Sequence, residues 1–168
     1  MCVFSISSIG SSQSEDAFSK RLARALDDTI TVIAGSGPTI PVAYRWKTQL
    51  NENTKVPAFS HELPELDHNE IVGWGGADGL GSFSAVFLDD TDLHPRVRRR
   101  IALTRELIAP SLKETFVVEG EGETTLARVF SLVLLGDLIS LYRAVLRGVD
   151  PAPVEVIERL KEQLAADE

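Results

Sequence analysis

The sequence predicts an α/β protein, a three-layer α/β/α sandwich built on a mainly parallel sheet. Short β-branched or apolar runs at 29–34, 82–88 and 114–118 read as buried strands. Between and after them lie segments with helical spacing of apolar residues. Strands that alternate with helices must be joined by crossovers, which makes neighbouring strands parallel and covers both faces of the sheet. The 168 residues suffice for one domain with one substantial core.

The elements follow in order. Residues 1–13 carry few structural signals and read as a poorly structured segment, with a single domain over 14–168. Ser14 offers an N-cap, and Ala17, Phe18, Leu22, Ala25 and Leu26 follow at helical spacing. The run 29–34 ends at Gly35-Ser36-Gly37, a strand entering a tight turn. Thr39 can cap a second helix with Pro41 in its first turn, and that helix should stop before Pro57. Pro64 opens a short segment through His68 and Ile71, followed by a glycine-rich loop over 73–81. Gly76, Gly79 and Gly81 have the wrong spacing for a dinucleotide fingerprint, and the loop leads into a strand rather than a helix. An amphipathic helix is expected over 95–108, a long and mostly buried one over 124–146, and a last one over 154–164. Gly148 and the corner Asp150-Pro151-Ala152-Pro153 separate the final two.

Composition excludes several classes. A hydrophobic fraction of 43% and a charged fraction of 25% are ordinary for a soluble globular domain. A net charge of −8 argues against nucleic-acid binding, which needs a basic face. The run Arg96-Val97-Arg98-Arg99-Arg100 reads as the solvated side of a helix. Cys2 is the single cysteine, so neither an internal disulfide nor a thiolate cage is expected, and the cytoplasm is the default compartment. No signal-peptide pattern is present. The apolar stretch 129–146 is broken by Gly136, Asp137 and Arg143, so it reads as a core helix and not a membrane span.

The chemistry-bearing residues cluster in two strings. Arg45, Gln49 and Glu52 recur at i, i+4 and i+7, which sets a guanidinium, an amide and a carboxylate along one helical face. Trp46 and Leu50 fall on the neighbouring face and should anchor it. Arg45 and Glu52 can be plain surface charges, but Asn51 and Asn53 are poor helix formers whose presence implies needed hydrogen bonds. His68 lies 16 residues after Glu52 with prolines between, so the two can meet only through tertiary folding or across a subunit interface. Its imidazole can be structural or can act as an acid or base near neutral pH. His61 and His94 have no partner pattern. Neither histidine–carboxylate pair has the spacing of a helical zinc site, so no metal is expected. Lys161 sits among Val154, Ile157 and Leu164 on the last helix, either snorkelling or aimed into a pocket. A ligand site is expected beyond the carboxyl ends of the strands, near the loop after Ala34.

Arg45-Trp46-Lys47-x-Gln49-Leu50-Asn51-Glu52-Asn53-x-Lys55, then Pro64-Glu65-Leu66-x-His68-Asn69-Glu70-Ile71-Val72-Gly73-Trp74, resemble the signature of the bifunctional phosphoglucose/phosphomannose isomerases. The closing Gly148-Val149-Asp150-Pro151 is similar too, and the likeness runs from about residue 15 to 168. The resemblance implies the second of two flavodoxin-like sugar isomerase (SIS) domains. It further implies Glu52 as the base that moves a proton between C1 and C2 through a cis-enediolate. His68 would assist ring opening from the other subunit of a homodimer with a shared site, Lys161 would stand in that site, and Arg45 is a candidate substrate contact. The substrate would be a phosphorylated hexose, with no metal or organic cofactor, no nucleic acid and no membrane. The family's phosphate cradle and an arginine thought to steady the enediolate belong to the first SIS domain. The serines over 5–14 lack the strand–loop–helix setting of an anion nest. A piece of a longer protein, a split subunit or a degenerate paralogue are all consistent with this, and the domain alone is expected to be a weak or inactive isomerase. The alternatives are a non-catalytic sugar-phosphate-binding domain and a dimerisation module.

Overall fold

The computed structural model describes residues 17–166. The elements are α1 (Phe18–Ala25), β1 (Ile30–Gly35), α2 (Ile40–Thr54), β2 (Ala58–Glu62), α3 (Glu70–Gly73), β3 (Phe83–Asp89), α4 (Pro95–Ile108), β4 (Glu114–Glu119), α5 (Thr125–Leu146) and α6 (Glu155–Ala166). The strands form one sheet in the order β2-β1-β3-β4, and every pairing is parallel. Expected and observed elements agree closely for α2, β3, α4, β4 and α5. Ser14 and the serine-rich stretch fall outside the described residues.

Period-2 side-chain alternation divides the core between the two faces of the sheet. Ile33, Val86, Leu88 and Val118 meet α1, α2 and α5 on one side. Ala34, Ala85, Phe87 and Val117 meet α4 and the segment around Leu63 and Leu66 on the other. Coverage of both faces explains why β1 and β3 are apolar almost without interruption.

The sequence reading missed β2. Its residues Ala58-Phe59-Ser60-His61-Glu62 lack an apolar run, because β2 is an edge strand whose residues after Ala58 are all partly or fully exposed. His61, read as a loop residue, therefore lies on a strand, and its Nδ1 sits 2.7 Å from Glu70 Oε2. His94, likewise read as unpartnered, accepts a hydrogen bond from the Arg96 N–H at 3.2 Å and caps α4.

The three residues that interrupt the apolar run of α5 each serve packing. Gly136 leaves room for the Trp46 indole, whose Nε1 would lie 2.3 Å from a Cβ at that position. Asp137 receives Arg45. Arg143 is 1% exposed and donates to Thr31 Oγ1 at 2.8 Å and to the Thr29 carbonyl, which pins the start of β1. By length and composition α5 could cross a membrane, but its buried face carries Arg143 on these partners and Arg128 on Asp90. The helix is also less buried than its sequence suggests: Leu126, Phe130, Leu134, Leu141 and Val145 are exposed along the opposite face.

Candidate functional site

The first motif string is divided between holding α2 in place and presenting a carboxylate. Trp46 and Leu50 are each 1% exposed, and the Trp46 indole N–H donates to the Leu132 carbonyl at 2.8 Å. Asn53 donates to Ser140 Oγ at 2.8 Å and to Gln49 Oε1 at 3.3 Å, which ties α2 to α5. Asn51 Oδ1 accepts from the Ala58 N–H at 2.6 Å, fixing the first residue of β2. The two asparagines are thus explained by architecture, with hydrogen bonds that a helix-interior Asn needs to justify its low propensity. Arg45 places Nε at 3.1 Å and Nη2 at 2.8 Å on the two carboxylate oxygens of Asp137, a bidentate fork on the protein surface. That pairing raises the Arg45 pKa through the Asp137 hydrogen bond and charge.

Glu52 is different. Its side chain is exposed, and among the described residues none bonds to its carboxylate. It lines a cavity of about 900 Å³ between the C-terminal half of α2 with the residue that follows it (Thr48, Asn51, Lys55) and the entry to α6 (Val154, Ile157). That volume lies within the range of roughly 300–1,000 Å³ typical of small-molecule sites. The backbone around it is fixed by Lys55. This residue ends α2 in a left-handed conformation (φ 55°) and donates from Nζ to the carbonyls of Glu52, Pro151 and Pro153.

Glu52 and the cavity it lines stand at the opposite end of the strands from the one where a ligand site was expected. Because α2 runs antiparallel to the strands, its C-terminal turn returns to their amino ends, and Glu52 goes with it. The carboxyl edge is occupied by ion pairs instead. Arg98 bridges Asp89 and Glu119, while the buried Arg128 bridges Asp90 and Asp92. Burial alone would raise the Asp90 pKa. The Arg128 hydrogen bond, the Asp92 N–H and the charges of Arg128 and Arg98 together hold it below the usual carboxylate value.

His68 occupies a 3-10 turn, Glu65–His68, after the carboxyl end of β2. Its neighbour Asp67 accepts from Thr104 at 2.6 Å and from Arg100 at 3.3 Å, so the turn is anchored while the imidazole stays exposed. Glu52 precedes β2 and His68 follows it. They therefore sit toward opposite ends of β2, a five-residue strand on the order of 15 Å long. Lys161 lies one turn beyond Ile157 on α6, exposed like the rest of that helix. The fold of one chain therefore does not bring Glu52 and His68 together. Among the described residues no group of three or more His, Cys, Asp or Glu is arranged to hold a metal ion.

Comparison with known families decides the lineage of this arrangement. The model of the bacterial phospho-glucose isomerase C-terminal SIS domain matches residues 15–164. The chain belongs to that family. Bifunctional phosphoglucose/phosphomannose isomerases from Aquifex aeolicus and Caldicellulosiruptor bescii are 38% and 42% identical over 145 and 153 residues, or 86% and 90% of the chain. The chain spans 45% of the length of each of these relatives. A glucose-6-phosphate isomerase like protein from Thermus thermophilus superposes on 88% of the chain with a TM-score of 0.69 at 24% identity, matching 48% of that structure. At that identity the superposition speaks for the shared α/β fold. The family assignment agrees with the parallel α/β sheet described above.

Three structural partners in this region had little sequence signal. Asp137 reads as an interruption of an apolar helix and Ser140 carries no distinguishing pattern, yet they receive Arg45 and Asn53. Lys55 stood in the motif without an assigned part, because its three acceptors come from two segments almost a hundred residues apart.

Proposed function

We propose that this chain is the aldose–ketose isomerase domain of a phosphoglucose/phosphomannose isomerase, acting on glucose 6-phosphate, fructose 6-phosphate and mannose 6-phosphate. Glu52 is the base. It takes the C2 proton of the open-chain aldose and returns it to C1, passing through a cis-enediolate. The observation that carries this reading is the free Glu52 carboxylate facing a cavity with ample room for a sugar phosphate while every amide of its motif is committed to packing. Isomerisation moves one proton from C2 to C1 and a second from O2 to O1, so a placed base for the carbon-bound proton, with a hydrogen-bonding relay between the two oxygens, meets the chemistry. Lys161, carried on the helix that forms the far wall, supports the negative charge of the enediolate. Arg45, forked onto Asp137, holds α2 on α5 in this reading.

The distance along β2 supports assigning ring opening to a His68 from a second copy of the chain. Binding of the remote phosphate contributes to transition-state stabilisation. In this proposal that contact belongs to the first SIS domain of the family, so the chain alone is a weak or inactive isomerase. A coupled assay with fructose 6-phosphate, at high protein concentration, tests the assignment. Turnover that vanishes in Glu52→Gln supports it, and turnover indifferent to that change removes Glu52 from catalysis. Mixing Glu52→Gln with His68→Ala restores turnover if the site is shared, and leaves it absent if it is not.

An assembly role has its own support. The exposed apolar residues of α5 are symmetric about the middle of the helix, Leu126 against Val145 and Phe130 against Leu141. A two-fold axis demands that kind of self-complementarity. Sedimentation across a concentration series tests it: a dimer supports the role and a strict monomer opposes it.

A further inference from the structure

We propose that Lys55 is a positioning residue that sets the second wall of the Glu52 cavity by holding α6 in place. The inference rests on the reading of that cavity as the functional site, but its decisive measurement does not.

One wall, the end of α2, is secured by Trp46, Asn53 and the core. The other wall is the start of α6, and α6 has little of its own to hold it. Every described residue from 155 to 166 is exposed, including Ile157 at 44%, Leu160 at 56% and Leu164 at 61%. Its place relative to Glu52 is therefore set by the corner that precedes it. On the α5 side the corner is tied by the Val149 N–H to the Ala144 carbonyl and the Gly148 N–H to the Val145 carbonyl, each at 3.0 Å. On the α2 side, among the described residues, the Lys55 ammonium ties it, donating to the carbonyls of Pro151 at 3.2 Å and Pro153 at 2.6 Å.

The geometry explains why a lysine performs this task. An ammonium has three donors and no acceptor. All three are used here: the third goes to the Glu52 carbonyl at 2.7 Å. The same atom thus grips the backbone of the base-bearing residue and the backbone of the opposite wall. The left-handed backbone at Lys55, φ 55° and ψ 30°, turns its side chain back across the end of α2. The positive charge also lies at the C-terminus of that helix, where the dipole favours it. Because the corner contains two prolines, its φ angles are restricted, and a grip on their carbonyls passes directly to residues 154–157.

The test compares the unmodified chain with Lys55→Met, which keeps the apolar stem and the strained backbone but removes the three donors. Hydrogen exchange is read peptide by peptide. Exchange over 154–164 at least tenfold faster in Lys55→Met, with α2 and α5 unchanged, supports the proposal. Exchange over 154–164 equal in the two proteins overturns it, and so does acceleration spread evenly over the whole chain. Rescue adds a readout that a generic packing loss would not give. In a Cys2→Ser background, Lys55→Cys alkylated with 2-bromoethylamine rebuilds the ammonium and should restore slow exchange over 154–164; failure to restore it opposes the proposal. Calorimetry with 6-phosphogluconate then links the wall to the site, with affinity at least tenfold lower in Lys55→Met. If the unmodified chain binds no 6-phosphogluconate, the functional reading of the cavity fails, while the exchange result still decides the role of Lys55.

Discussion

Replacing Gly136 with Ala tests how α2 is held against α5, and with it how Glu52 is placed. A Cβ at position 136 would lie 2.3 Å from Trp46 Nε1, 2.4 Å from Cδ1 and 2.6 Å from Cε2. The indole is buried against the core and its N–H is committed to the Leu132 carbonyl, so it cannot retreat without losing that bond. Overpacking a tight core costs about 1–3 kcal/mol, and contacts this short belong at the upper end. Loss of the indole hydrogen bond adds about 1 kcal/mol. Against these stands the gain of about 1 kcal/mol when Ala replaces Gly inside a helix. The net expectation is destabilisation by about 3 kcal/mol, or a fall in Tm of roughly 6–12 °C for a chain of this size. Urea unfolding followed by far-UV circular dichroism reads the loss, and tryptophan fluorescence reports any displacement of the indole. A variant as stable as the parent, or stabilised by the helix-propensity gain, would refute the close packing of Trp46 on Gly136.

Two further outcomes follow from the ion pairs. Asp90 has a folded pKa below its unfolded value, which is about 3.9, so its stabilising contribution is complete above that value and is lost as pH falls through the folded pKa. Urea midpoints measured from neutral pH down to about pH 3 should therefore fall less steeply in acid for Asp90→Asn than for the parent, on a lower plateau because Arg128 loses its buried partner; an unchanged acid slope contradicts the assignment. The Arg45–Asp137 fork is 45% and 31% exposed at its two ends, so Arg45→Ala should cost less than about 1 kcal/mol in the same assay. A larger loss would mean that the fork carries more of the α2–α5 contact than its exposure allows.

Much of the fold could be read from the residues, because the central strands are buried on both faces and advertise it. The runs that became β1 and β3 are apolar on both faces, and α2 and α4 begin at proline-marked turns. β2 was hidden because an edge strand needs no apolar run, and Phe59, Ser60 and His61 resemble a loop. At the site, Trp46 and Leu50 behaved as their helical spacing required. Asn51 and Asn53 were recognised as residues with hydrogen bonds to make, but their partners, Ala58 and Ser140, are tertiary and leave no local trace. Glu52 lies away from the strands' carboxyl ends, where a ligand site was expected, for a similar reason. The general rule for parallel sheets concerns loops at the strands' carboxyl ends, whereas Glu52 sits at the far end of the helix that such a loop feeds.

The base assignment is tested most directly by proton exchange at the substrate. Fructose 6-phosphate incubated with concentrated protein in D2O and followed by NMR should acquire deuterium at C1, and Glu52→Gln should abolish the incorporation while leaving the unfolding free energy within about 0.5 kcal/mol of the parent, as for a surface substitution. Deuterium entering C1 at the same rate in both proteins would contradict the assignment of position 52 as the group that moves the proton.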